Sequence, residues 1–156
     1  MEFAESKVGK LVFARFVEDE DLLETITRVA ERANVSAGFF FLIGTLKKAK
    51  IGFFREGKYE PIEMNQTLEI VSCSGNVSIK ENKVFAHAHI AVSDDKGRVF
   101  GGHAMPECII GTTGELVLTE AQSIKLLREF DERIKLYLWS LKKPTSKVRK
   151  KRSAQA

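Results

Sequence analysis

Val84-Phe85-Ala86-His87-Ala88-His89-Ile90-Ala91-Val92-Ser93-Asp94-Asp95-Lys96-Gly97-Arg98-Val99-Phe100-Gly101-Gly102-His103 contains every histidine of the chain and its clearest strand-turn-strand signal. Val84, Ala86, Ala88, Ile90 and Val92 alternate with His87, His89 and Ser93, as expected of a strand with one apolar face. Successive side chains point to opposite faces of a strand, so His87 and His89 share the other one. Asp94 to Gly97 supply a turn. If Asp95 and Lys96 form a type I turn and Gly97 takes the left-handed position, Asp94 pairs with Arg98 and the register is set. His89 then stands opposite His103, with His87 as the diagonal neighbour on the same face. A two-residue loop would shift the register by one and turn His103 to the opposite face.

Imidazole is a common neutral ligand for divalent transition metals, and three of them leave a fourth tetrahedral position open. His87, His89 and His103 are therefore candidate ligands, with zinc as the expected ion. Gly101 would fall on the histidine side opposite Ala91 and leave space there, and Gly102 marks a close approach of backbone or ligand. The plainer reading is of half-buried histidines hydrogen-bonded within a sheet. Cys108 is a further candidate ligand by proximity to His103, although Cys73 and Cys108 both read as small buried hydrophobes. Glu107, four residues after His103, is a candidate general base for a metal-bound water.

Working outward, the chain is of single-domain size at 156 residues, long enough to bury a core without disulfide staples. Residues 1–141 are expected to form that domain, and 142–156 a basic tail. The tail holds Lys142, Lys143, Lys147, Arg149, Lys150, Lys151 and Arg152 and no acidic residue; the remaining 18 basic and 21 acidic residues leave the body at −3 within a net +4. A segment so poor in apolar residues cannot bury surface and should be disordered. Such tails hold phosphate backbones by counterion release, or serve only as solvated ends. No apolar run is long enough to span a bilayer, and the amino terminus lacks the basic start and apolar stretch of a secretory signal, so a cytoplasmic location is expected, with no membrane partner.

Leu11 to Phe16 reads as a strand. Leu22, Leu23, Ile26, Val29, Ala30 and Ala33 recur at helical spacing over about Asp21 to Asn34, with Glu24, Arg28, Glu31 and Arg32 outward. From Phe39 onward strand signals dominate: Leu46 to Phe54, Tyr59 to Met64, Thr67 to Cys73, Gly75 to Ile79, the histidine hairpin, Glu107 to Gly111 and Leu116 to Thr119. Ile124 to Leu141 fits a helix or strands equally. One helix among many antiparallel strands predicts an α+β fold.

Gly38-Phe39-Phe40 leading into Leu42-Ile43-Gly44-Thr45-Leu46, Leu68 through Val77, His87 through Val92 and Gly97 through His103, taken in that order, resemble a PPC domain, the plant-and-prokaryote-conserved module. The resemblance covers roughly residues 8 to 140. It implies a strongly bent, mostly antiparallel sheet against one main helix, two strands around a turn near Asp131-Glu132, and assembly as a homotrimer. It also implies DNA association, which plant members owe to an Arg-Gly-Arg-Pro hook that this chain lacks; the Lys147 to Arg152 cluster is the nearest substitute. Standalone members with three histidines resemble metal-binding proteins. Glu69 matches a glutamate of the family pattern, which places it at a subunit contact, at the metal pocket, or on a strand face toward solvent. Two functions follow as expectations: a DNA-binding trimer whose tails contact phosphates, and a zinc-dependent enzyme or small-ligand binder.

Overall fold

The structure is a computed structural model, and it describes residues 1–141. Among the described residues nine strands and one helix follow one another: β1 (Lys7–Phe16), α1 (Leu22–Arg32), β2 (Gly38–Arg55), β3 (Lys58–Met64), β4 (Leu68–Lys80), β5 (Lys83–Ser93), β6 (Val99–Ala104), β7 (Ile109–Gln122), β8 (Leu127–Asp131) and β9 (Leu136–Ser140). The fold is α+β, as expected, and the two short strands around Asp131-Glu132 resolve the ambiguous last segment against a helix.

The sheet runs β1-β7-β2-β6-β5-β4-β8-β9, with β3 beside β2 and a second pairing between β2 and β4. Strands β2, β6, β5 and β4 thereby close into a ring. The closure requires a bent β2, whose first half pairs with β7 and β4 while its second half pairs with β3 and, at Ile51 and Gly52, with β6. The bend falls at Gly44, where φ is +141° and the registers to β4 and β7 slip. A Cβ there would meet the carbonyl oxygen of Thr113 at 2.2 Å, so both backbone angle and space demand glycine.

Two expected strand pairs are each one strand. The break foreseen between Cys73 and Gly75 does not occur: β4 runs on through Gly75, where a side chain would meet the His87 carbonyl oxygen at 2.0 Å and the Phe40 ring at 2.5 Å. Strand β7 likewise runs unbroken through Gly114, which faces Gly44.

Helix α1 is capped by Asp21, whose carboxylate accepts from the amide of Glu24 at 3.0 Å. It buries Leu22, Ile26 and Ala30 against β5 and β7. Phe16, Phe40, Leu42, Leu46, Ile90, Val92, Ile110, Leu116 and Leu118 complete one continuous core. Burying the apolar side of β5 in that core fixes its histidine side outward. Among the described residues no helix is long and apolar enough to cross a membrane. The seven basic tail residues, Lys142, Lys143, Lys147, Arg149, Lys150, Lys151 and Arg152, lie outside the described residues.

Candidate metal centre

The turn after β5 is the three-residue form that the register requires. The amide of Gly97 donates to the Asp94 carbonyl at 3.0 Å, the amide of Asp94 donates to the Arg98 carbonyl at 3.1 Å, and Gly97 has φ +73°. The Asp94 carboxylate, almost wholly buried, accepts from the amides of Lys96 (3.0 Å) and Arg98 (2.9 Å) and from Arg98 Nε (2.7 Å). The hydrogen-bonded Arg98 guanidinium holds the pKa of the Asp94 carboxyl below the usual carboxylate range. His89 pairs with His103 and Ala91 with Gly101.

The three histidines accordingly converge. His87 Nε2 and His103 Nδ1 are 3.2 Å apart, and one ligand atom from each of the three rings lies within 4.8 Å of the others. Two nitrogens bound tetrahedrally to one zinc ion at about 2.0–2.1 Å are separated by about 3.3 Å, so the His87–His103 spacing fits a shared ion. His87 and His103 are half-buried and His89 is exposed. Burial, reinforced by Arg128 and the neighbouring histidines, brings His87 down to about 4. His103 is likewise lowered to about 4, by burial and then by His89 and Arg128. Both rings are therefore neutral at pH 7, the protonation state that ligation needs.

Two residues not legible from motif spacing complete the site. Tyr59 of β3 stacks on His103, with ring centroids 4.3 Å apart and planes 18° from parallel. Gly52, opposite His103 on β2, makes room for the Tyr59 ring, since a Cβ there would meet Tyr59 Cδ1 at 2.8 Å. Arg128 of β8 reaches the site because β8 runs parallel to the end of β4. Its guanidinium donates to Ser78 Oγ (2.8 Å), the Tyr137 carbonyl (2.9 Å) and Asn76 Oδ1 (3.0 Å), and lies 3.1 Å from His87 Nδ1. A cleft of about 480 Å³ opens beside the rings, lined by Phe39, Phe41, Asn76, His87, His89 and Trp139.

The other candidates fall away from the centre. The Cys108 thiol is buried, donates to the Lys50 carbonyl at 3.3 Å and is pushed up by burial; Cys73, also buried, is pushed up to about 12. Glu107 is held by Lys48 Nζ (2.5 Å) and Lys50 Nζ (2.6 Å), whose charges bring it down to about 2. A carboxylate with so little proton affinity makes a poor general base near neutral pH. Glu69 is exposed on β4, opposite Ser93 and Thr45, outside the histidine cluster.

Comparison with known proteins agrees with this architecture. A metal-containing protein from Archaeoglobus fulgidus superposes with TM-score 0.83 at 32% identity, covering 90% of this chain and 99% of that one. A plant- and prokaryote-conserved (PPC) protein from Pyrococcus horikoshii gives TM-score 0.83 at 32% identity, over 92% and 100% of the two chains. A candidate DNA-binding protein from Bacteroides thetaiotaomicron shares the fold at TM-score 0.78 and 19% identity, over 90% and 99%. The bifunctional protein GlmU of Synechococcus sp. strain JA-3-3Ab is 31% identical over 118 residues, 75% of this chain, which spans only 18% of that protein's length. Residues 3–122 match the profile of the Plants and Prokaryotes Conserved (PCC) domain. With that match over most of its length, the chain belongs to the PCC domain family.

Proposed function

We propose that this protein binds one divalent metal ion, zinc by its ligand set, through His87, His89 and His103. The observation that carries this reading is the 3.2 Å approach of His87 Nε2 to His103 Nδ1, on a face where the third imidazole stands directly opposite His103. Three nitrogen ligands with a fourth position for water or another ligand is the arrangement of catalytic zinc. The metal-containing relative from Archaeoglobus fulgidus supports the assignment. Elemental analysis of the purified protein tests it: about one metal per chain is expected, and substoichiometric metal that is unchanged in His89→Ala would remove the site.

DNA association belongs, on this reading, to assembly and to the tail. Leu11 and Phe13 on β1 and Phe39, Phe41 and Ile43 on β2 are exposed apolar residues on strands that flank β7, and a contiguous patch of that kind marks a contact with another chain. A homotrimer formed there would gather three tails, each with Lys142, Lys143, Lys147, Arg149, Lys150, Lys151 and Arg152. Linking weak phosphate-binding segments raises avidity without new contacts. The body's −3 charge makes the tail the source of phosphate attraction. The likeness to a candidate DNA-binding protein accords with this part. Removing residues 142–156 should abolish duplex binding together with its salt dependence; full affinity in the truncated protein would overturn it.

A further inference from the structure

Arg128 presents a charge problem at the histidine centre. Its half-buried guanidinium lies against Asn76 and His87 and over the Phe85 and Trp139 rings, at 5.4 and 6.0 Å from their centroids. Among the described residues it has no carboxylate partner. Among the described residues no acidic side chain acts on His87 or His103 either; the cation felt by both is Arg128. The far N–H of a ligating histidine ordinarily faces a carboxylate, a carbonyl or water. At His87 a guanidinium, which has no acceptor, occupies that position.

A divalent ion on the three imidazoles would therefore stand beside a second fixed cation, and the described protein groups offer no negative charge to either. Uncompensated charge in a half-buried site is costly, and guanidinium is the side chain best shaped to hold an oxyanion. Three of the five Arg128 N–H groups are matched by acceptors on Ser78, Tyr137 and Asn76, which fixes the plane of the fork; His87 Nδ1, which carries the hydrogen when Nε2 ligates, cannot accept from it. The cleft beside His87 and His89 leaves space for a small ligand next to the rings.

From this arrangement we infer that the centre is an anion receptor: a small oxyanion, carboxylate or phosphate, takes the fourth metal position, with Arg128 as the positioning residue that makes the anion, rather than neutral water, the favoured ligand. The inference rests on the metal assignment above and extends it to a ligand class.

The full chain loaded with cobalt(II) in place of zinc tests this through its visible absorption, which reports the metal's ligands directly. Titration with acetate and, separately, inorganic phosphate should shift the spectrum saturably, and the anion that acts identifies the class. Arg128→Met should keep one cobalt per chain but weaken anion binding at least tenfold, while Arg128→Lys, which retains the charge, should lose less. A cobalt spectrum indifferent to both anions, or equal anion affinity in wild type and both Arg128 variants, overturns the inference and leaves the metal site standing. Absence of any cobalt spectrum overturns both, and is thereby distinguishable.

Discussion

The buried carboxylate of Asp94 is gripped by Arg98 at both backbone and side chain, with Nε at 2.7 Å and the amide at 2.9 Å, so the residues that end β5 and restart the chain are locked together within the turn. This lock sets which face His103 occupies. Asp94→Ala should lower the melting temperature, followed by circular dichroism. It should also weaken metal binding in a calorimetric titration, although Asp94 is no ligand.

Gly97 and Gly75 should respond differently to alanine. At Gly97 the angle is left-handed but the surroundings are open, with no atom within 4 Å of an added Cβ. Gly97→Ala should cost about 1 kcal/mol in denaturant unfolding, and Gly97→Asn less, since asparagine tolerates that conformation. At Gly75 the added Cβ would strike the His87 carbonyl oxygen at 2.0 Å. Overpacking of that kind costs about 1–3 kcal/mol or more, so Gly75→Ala should fall well below Gly97→Ala and disturb the ligand strand as well.

Metal should stabilise the folded protein by mass action, since it binds the assembled site more tightly than the unfolded chain. Chelation should therefore lower the wild-type melting temperature. In His89→Ala, whose ring is exposed, the metal-free melting temperature should stay near wild type while the metal-dependent increment disappears.

The metal-free protein should lose stability on mild acidification. His87 and His103 titrate near 4 when folded, against about 6.5 for an unstructured histidine. Between those values the unfolded chain binds more protons, so stability rises with pH from about 4 to about 6.5 and is lost on the way down. Urea midpoints at pH 7, 5.5 and 4.5 should decrease in that order, and the decrease should shrink in His87→Ala/His103→Ala.

The histidine hairpin was legible in the sequence because its determinants are local. Alternation assigned the faces of β5, and a single glycine at the right offset assigned the register to β6. The helix was legible too, from the Leu22, Ile26, Ala30 stripe, while its cap at Asp21 came from the structure. The lengths of β4 and β7 were not: Gly75 and Gly114 look like breaks, yet Gly75 is glycine because the His87 carbonyl passes too close for a side chain, and Gly114 packs tightly against the Phe16 side chain. Arg128 and Tyr59 were hidden for a related reason. They reach the histidines through a parallel β4–β8 pairing and through β3 alongside β2, and no spacing rule along the chain anticipates such neighbours. Glu107 was proximate in sequence but is diverted by Lys48 and Lys50.

Strand β6 has six residues, and on its outer edge only Ala104 and His103 pair with β2. Its other edge pairs with β5 from Val99 to His103, and it carries one of the three candidate ligands. An ion bound there would act as a clasp between β5 and β6, so its escape would be timed by β6 lifting away rather than by attack from outside. Metal loss to a chelator should then reach a rate that no longer depends on chelator concentration, and that plateau should equal the hydrogen-exchange opening rate of the β6 amides.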